Sequence, residues 1–472
     1  MKHIFSTVFA VFFLVQIALG SDHHLHQVEH IKDVSAQEIT AELGLNVPYG
    51  VAFYKMTYHT TGSDGLPDIA SGLVVIPDVS GRDPSLVIYH HGTSEAPQSV
   101  PSSLNLDFEA YAYIGGMGYA VIAPDYLGMG DSRGFHPYVH KGTLASASVD
   151  MLKAFHEWAD QGNAQVDEKL FITGYSQGGF AGMATHELLE TYYDDVYPVS
   201  AAAHLSGPYS LSGVMRELMF SQQNYDYPGF IPYAIIGFQE VYGDLYDDLS
   251  EIFQEVFIPP IESFAQSELN LIEVTILMVL LNQQEFGNRH PVNFFNPDLV
   301  QAMNEDEDHY LNQLLFENDS YHWVPRAPTR LWYCEGDQMV PPENSVVAAQ
   351  AMLANGALDL ESENLGSDLD HGECAVPAIL ATVDFFNSFQ ETSIDAISQG
   401  PAITVYPNPA SQHIYLEGIP DGAILQILDL SGRVVAEARH SGSLYLGHLA
   451  RGAYLLRVQT SQWRHTEKIY LQ

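Results

Sequence analysis

Two runs of strand-like apolar character, 51–58 and 70–77, flank a turn at 62–67 and predict an antiparallel pair near the start of the chain. Short apolar runs at 85–90, 118–125, 170–173 and 199–205 read as further strands. Helical segments at 108–114, 143–159 and 181–189 lie between them. In the second of these, Ala147, Met151, Ala154, Phe155 and Trp158 share one stripe at helical spacing. Alternation of strand and helix implies a parallel sheet with crossover helices, an α/β fold.

The rhythm breaks at about residue 209. As far as 328 no clear strand is visible; helical patterns at 211–221, 247–256, 261–281 and 300–315 fill a segment rich in Phe, Tyr, Leu and Ile. Such an insertion inside an α/β sheet predicts a cap over the active site. A strand returns at 329–334, followed by helices at 342–354 and 376–389. The catalytic domain is therefore expected over 45–390. A polar linker at 391–401 leads to a second domain, 402–472, whose short strands (403–406, 413–417, 423–429, 434–438, 443–446, 452–459 and 466–471) predict a small all-β sandwich.

Charge follows the same division. The formal net charge is −41, yet the segment from Ala402 onward carries 6 basic and 5 acidic residues, leaving 12 and 54 for the rest. Domains of such different charge suggest different tasks. The acidic body argues against nucleic acid or anionic membranes as partners. At the N-terminus, Lys2 and His3 precede an apolar run from Ile4 to Leu19 and a small-residue cleavage site at Ala18-Leu19-Gly20, which predicts a signal peptide over 1–20. His23, His24, His26 and His30 follow. They are read as a mobile mature N-terminus, with a metal tract as the other reading. The apolar stretch 271–281 is too short to span a bilayer.

The chemistry concentrates at Gly174-Tyr175-Ser176-Gln177-Gly178. A serine between an apolar strand and a helix sits on a sharp turn. Side chains two residues to either side would strike the crossing backbone, so glycine is needed there. A nucleophilic serine needs a base and a carboxylate to orient that base, and two later loops offer candidates. Asp337 lies just past the returning strand, within Gly336-Asp337, and His371 lies in Asp370-His371-Gly372 before the last helix. Asp337 would orient His371, and His371 would deprotonate Ser176. Rival histidines are His90, His91, His204 and His309; Asp368 and Asp370 are read as solvated carboxylates. The two cysteines, Cys334 and Cys374, stand three residues from Asp337 and His371. A disulfide follows if those loops touch; two buried thiols are the alternative. For the oxyanion hole, the amide of Gln177 is one expected donor, and the loop His90-His91-Gly92-Thr93-Ser94 offers the second, Thr93 before Gly92. No cofactor and no metal are expected.

These motifs, with Ala123-Pro124-Asp125-Tyr126-Leu127-Gly128-Met129-Gly130-Asp131-Ser132, make residues 45–390 resemble the α/β-hydrolase superfamily, and within it the secretory lipase and prolyl-oligopeptidase-like esterase group. The resemblance implies a serine hydrolase working through an acyl-enzyme on small-molecule or lipid esters. A serine peptidase, anchoring a substrate amine on Glu240 or Asp244, is one alternative; an inactive binding module is another. The apolar run 230–238 suggests an acyl site or simply cap core. Residues 402–472 resemble the C-terminal sorting domain of the type IX secretion system of Bacteroidetes. The likeness is carried by Tyr406-Pro407-Asn408-Pro409-Ala410, Asp429-Leu430-Ser431-Gly432-Arg433, Leu449-x-Arg451-Gly452-Ala453-Tyr454 and Lys468-Ile469-Tyr470-Leu471. It implies export by a Sec signal, type IX passage across the outer membrane to the surface or medium, and removal of the domain afterwards.

Overall fold

The computed structural model describes residues 23–390 and 403–471, apart from 421, 429–433, 441 and 460–463. The expected signal peptide and linker lie outside the described residues. Two compact units divide the chain, Met1–Phe389 and Gln390–Gln472.

In chain order the first unit contains β1 (Leu25–Val34), α1 (Ala36–Leu43), β2 (Val51–Thr61), β3 (Pro67–Pro77), β4 (Leu86–His90), α2 (Phe108–Gly116), β5 (Ala120–Pro124), α3 (Lys141–Asp160), β6 (Leu170–Tyr175), α4 (Gln177–Tyr192) and β7 (Val199–Leu205). The inserted segment then supplies α5 (Arg216–Met219), α6 (Phe230–Tyr242), α7 (Ile258–Ala265), α8 (Leu271–Phe286), α9 (Pro297–Glu305) and α10 (Tyr310–Glu317). β8 (Thr329–Tyr333), α11 (Glu343–Ala354), β9 (Leu360–Asn364) and α12 (His371–Asn387) complete it.

The nine strands form one sheet in the order β1-β2-β3-β5-β4-β6-β7-β8-β9. β1, β2, β3 and β5 pair antiparallel in succession, and every pair from β5 through β9 is parallel. The fold class is the expected one: a mainly parallel α/β sheet with a helical insertion between β7 and β8. β4, β5 and β6 are buried along their whole length, which is why their sequences are continuous apolar runs. On one face α1, α2 and α12 contribute Ile39, Ile114, Val383 and Phe386 to the core; on the other, α3 contributes Met151, Phe155 and Trp158. The insertion carries its own core, including Ile231, Phe238, Phe257, Phe264, Val274 and Phe294.

Residues 25–34, read from sequence as a mobile terminus, form an edge strand instead. β1 pairs with β2 from Leu25↔Tyr58 to Val34↔Val51, with two register irregularities. Its side chains are mostly exposed, so no apolar alternation announces it. The histidines there are used locally: His24 reaches Glu157, His26 reaches Thr57 and His30 reaches Asp33. Among the described residues no group of three or more His, Cys, Asp or Glu is placed to hold a metal ion.

The second unit holds β10 (Thr404–Tyr406), β11 (His413–Glu417), β12 (Ile424–Leu428), β13 (Val434–Arg439), β14 (Ser443–Tyr445), β15 (Gly452–Gln459) and β16 (Arg464–Leu471). They form a three-stranded sheet, β10-β11-β14, and a four-stranded sheet, β13-β12-β15-β16. Ile414, Leu416, Leu425, Ile427, Leu444, Leu456 and Ile469 make a separate core in which inward residues alternate with exposed ones.

Candidate active site

β6 ends at Tyr175 and α4 begins at Gln177, leaving Ser176 alone on the turn. Its φ of 59° and ψ of −121° are strained for a residue with a side chain. Two hydrogen bonds help impose that geometry: Ser176 N–H donates to Leu205 O (2.9 Å), and Ser176 O accepts from Phe180 N–H (3.2 Å). The neighbouring glycines are sterically required. A Cβ on Gly174 would lie 2.4 Å from Gly178 O, and one on Gly178 would lie 2.0 Å from His90 O.

Asp337 follows β8 and is buried; its Oδ1 accepts from the amides of Met339 (3.0 Å) and Val340 (2.9 Å). His371 is the first residue of α12, capped by Asp370, whose carboxylate accepts from Glu373 N–H at 2.9 Å. Asp370 is thus a helix cap, and Asp368 is exposed. The two loops cross closely: a Cβ on Gly336 would be 2.5 Å from Leu369 O. Cys334 and Cys374, both fully buried, are joined by a disulfide that ties the end of β8 to the first turn of α12.

This packing brings Ser176, His371 and Asp337 into one chain. His371 Nδ1 is 2.5 Å from Asp337 Oδ2, and His371 Nε2 is 2.8 Å from Ser176 Oγ. With Nδ1–H facing a carboxylate, Nε2 carries the lone pair toward the serine hydroxyl. Tyr175 supports the histidine from below, its hydroxyl donating to His371 O at 2.5 Å. The rival histidines are occupied elsewhere. His90 Nδ1 faces Thr173 O and its Nε2 faces the hydroxyls of Ser148 and Thr185; burial pushes its pKa down to about 3. His91 lies between Gly92 O and Asp125 O, His204 meets His186, and His309 caps α10.

The two expected oxyanion donors differ in setting. Gln177 N–H opens α4, where a helix presents amides without intrahelical acceptors and the positive end of its dipole. In the β4 loop, Gly92 N–H is already committed to Asp107 Oδ2 (2.9 Å), an oxygen that also accepts from Tyr89 O–H (2.9 Å). That leaves Thr93 as the available amide of the pair. Asp107 achieves this from a left-handed conformation, φ 54°. It was not singled out from sequence, and neither were His136 and Tyr138, which contact the Gln177 and Thr93 side chains. These contacts join distant segments and leave no periodic signal; the aromatic run Phe135-His136-Pro137-Tyr138 is the only local hint.

Above Ser176 a narrow cavity of about 90 Å³ penetrates the inserted helices. Its lining includes Leu211, Met215, Phe230, Ile235, Phe238, Leu299 and Leu315; apart from Ser176, only Tyr138 and Tyr225 bring a polar side chain to it. Neither Glu240 nor Asp244 reaches it. An arrangement of hydroxyl, imidazole and carboxylate beside an apolar slot can perform acyl transfer on a substrate with an apolar acyl group.

A family model described as secretory lipase matches residues 106–379, and one described as a secretion system C-terminal sorting domain matches 404–472. Among solved structures, a protein from Legionella pneumophila assigned as a hydrolase is 28% identical with a TM-score of 0.68, over 79% of this chain and 99% of that one. The rice cell wall degrading esterase LipA from Xanthomonas oryzae is 23% identical (TM-score 0.67), over 79% and 98% of the two chains. Candida antarctica lipase A in its closed state is 15% identical (TM-score 0.58), over 77% and 81%. No curated protein matches the chain.

Proposed function

This chain belongs to the secretory lipase family, and we propose that it is an exported serine hydrolase that cleaves carboxylic esters through an acyl-enzyme. Ser176 Oγ attacks the ester carbonyl as His371 Nε2 takes its proton. Asp337 holds the ring and stabilises the imidazolium that forms. The carbonyl oxygen, now negative, is received by the amides of Gln177, at the N-terminus of α4, and Thr93, in the loop after β4. His371 then protonates the leaving alcohol, and water, deprotonated by the same nitrogen, releases the acid.

The observation that carries this reading is the His371 bridge, 2.5 Å to Asp337 and 2.8 Å to Ser176, at the mouth of the apolar cavity. That cavity would take the acyl chain, since burying each methylene is worth about 0.8 kcal/mol. A peptidase would need an anchor for a substrate amine, and no carboxylate lines the cavity. An inactive binding module would not need the strained serine or its partners.

A fluorophosphonate should label the wild-type enzyme at Ser176 and leave Ser176→Ala unlabelled; no labelling of the wild type would sink the proposal. Graded p-nitrophenyl esters compared with dipeptide anilides decide substrate class: turnover of the anilides alone would make it a peptidase. Export is proposed to use the signal at 1–20 and then type IX machinery recognising 402–472, in a bacterium of the Bacteroidetes. Mass spectrometry of the mature secreted protein checks both ends: an N-terminus at Ser21 and loss of the C-terminal domain are expected, and an intact Met1 would refute the signal.

A further inference from the structure

Two hydrogen bonds outside the Ser176–His371–Asp337 chain converge on one short segment, 135–139, between β5 and α3. His136 is buried, and its Nδ1–H donates to Leu127 O at 2.8 Å. Burial pushes its pKa down to about 3, so the ring stays neutral and Nε2 keeps its lone pair. Gln177 Nε2 donates to that lone pair at 2.6 Å. Two residues further on, the Tyr138 hydroxyl lies 3.1 Å from Thr93 Oγ1. Gln177 and Thr93 are the residues whose amides are assigned to the oxyanion, so one segment grips both by their side chains.

The segment is itself held from three sides. The Tyr126 ring stacks between His91, 4.1 Å between centroids, and His136, 5.8 Å. The backbone of Gly128 approaches so closely that a Cβ there would stand 2.4 Å from His136 N. From the inserted helices, Gly237 of α6 comes equally near, its absent Cβ 2.6 Å from Tyr138 N, while the Tyr138 ring stacks on Tyr233 at 4.5 Å. Val139 is locked in a left-handed conformation, φ 51°. Gln177 Oε1 is buried with no hydrogen-bond partner among the described residues, so His136 is what fixes that side chain. A position serving packing alone would favour an apolar residue over a half-satisfied amide.

We propose that His136 and Tyr138 are positioning residues of the oxyanion hole: they clamp the side chains of Gln177 and Thr93 so that both amides converge on the ester oxygen, and they tie that alignment to helix α6 of the cap. The clamp rests on the serine-esterase reading. Its physical basis is that oxyanion donors act only when preorganised, and small displacements weaken the transition state more than the bound ester.

The test uses the full-length enzyme with p-nitrophenyl butyrate as substrate and butylboronic acid as a tetrahedral mimic on Ser176. Tyr138→Phe and Thr93→Val each remove one hydroxyl and leave the backbone in place. Each should lower kcat about five- to tenfold with KM within about twofold, and raise the boronate Ki in proportion. The double variant should be no worse than the poorer single one, because both delete the same contact. His136→Leu should lower kcat in the same manner, and His136→Gln, which restores an acceptor, should recover most of it. Unchanged kcat in Tyr138→Phe and His136→Leu would overturn the clamp. Losses that multiply in the double variant would also overturn it, since they would mark independent packing effects. If Tyr138→Phe loses its fold, as judged by circular dichroism, Thr93→Val and the His136 pair decide alone. Wild-type enzyme that turns over no ester overturns the esterase reading as well; active wild type with unchanged variants overturns the clamp only.

Discussion

Ser176 keeps a backbone conformation that its surroundings must enforce, and the glycines around it show which contacts enforce it. Gly178 is the more constrained: the nearest atom to an added Cβ is a carbonyl oxygen of β4 at 2.0 Å, and backbone cannot swing aside. Gly178→Ala should therefore destabilise the protein by about 3 kcal/mol or more and abolish ester turnover. Gly372, beside His371, looks similar in sequence but differs physically. An added Cβ there meets only Asp370 Oδ1 at 3.5 Å, ordinary contact, at a helical position. Gly372→Ala should leave kcat intact and raise stability by about 0.5 kcal/mol through the lower entropy of the unfolded chain. Urea unfolding of both variants checks the contrast; equal costs would show that motif membership, not steric room, governs these positions.

Between elements, the crossing of the β8 and α12 loops sets the acid and base in place, and the disulfide secures it. The bridge spans 40 residues, so in the chain-entropy model removing it with paired Cys334→Ala and Cys374→Ala costs about 4 kcal/mol. Thermal and urea unfolding of the double variant measures this, and a loss under about 1 kcal/mol would show that the loops are held without it. Elements like these were legible in sequence because each carries a local signal. Apolar runs gave β4 to β8, turn residues gave the strands of the second unit, and the serine, aspartate and histidine stood in the order in which their loops meet. What sequence missed has equally physical causes. β9, Leu-Glu-Ser-Glu-Asn, is an edge strand with charged outward residues and resembles a loop. The single helix expected over 261–281 is two, because Asn270 and Glu273 form a capping box that starts α8 after a left-handed Ser267. The helix expected over 247–256 is reduced to single turns at Leu249–Glu251 and Glu255–Phe257. α1 was overlooked although Ser35 and Glu38 announce it by the same capping device. The grip of His136 on Gln177 links segments 41 residues apart and has no sequence periodicity to betray it.

At the scale of the whole molecule, the chain joins an acidic catalytic unit to a sorting domain, and each unit has its own core among the described residues. A chain ending at residue 390 should therefore keep kcat/KM within about twofold of the full-length enzyme while failing to reach the medium; loss of activity on purification would refute the independence of the units. Acid should act on the catalytic unit through its buried histidines. Burial lowers the pKa of His90 and His136 to about 3 and that of His140 to about 4, from 6.5. The folded state then binds fewer protons than the unfolded state below pH 6.5. The stability these groups allow is complete above that value and is lost as pH falls toward their folded pKa values. Each contributes a slope of about 1.4 kcal/mol per pH unit. Asp125 opposes this: its buried carboxyl has a raised pKa, so its share of stability is present in acid and is lost as pH rises through that pKa. Glu187, also raised by burial, acts with Asp125, but the fully buried His204 is shifted down as well and adds to the histidines. Between pH 7 and 5 ordinary carboxylates stay largely ionised, so the buried histidines dominate the difference between folded and unfolded states. Urea unfolding should give a stability about 5 kcal/mol lower at pH 5 than at pH 7, whereas equal values would mean that these rings gain protons without unfolding.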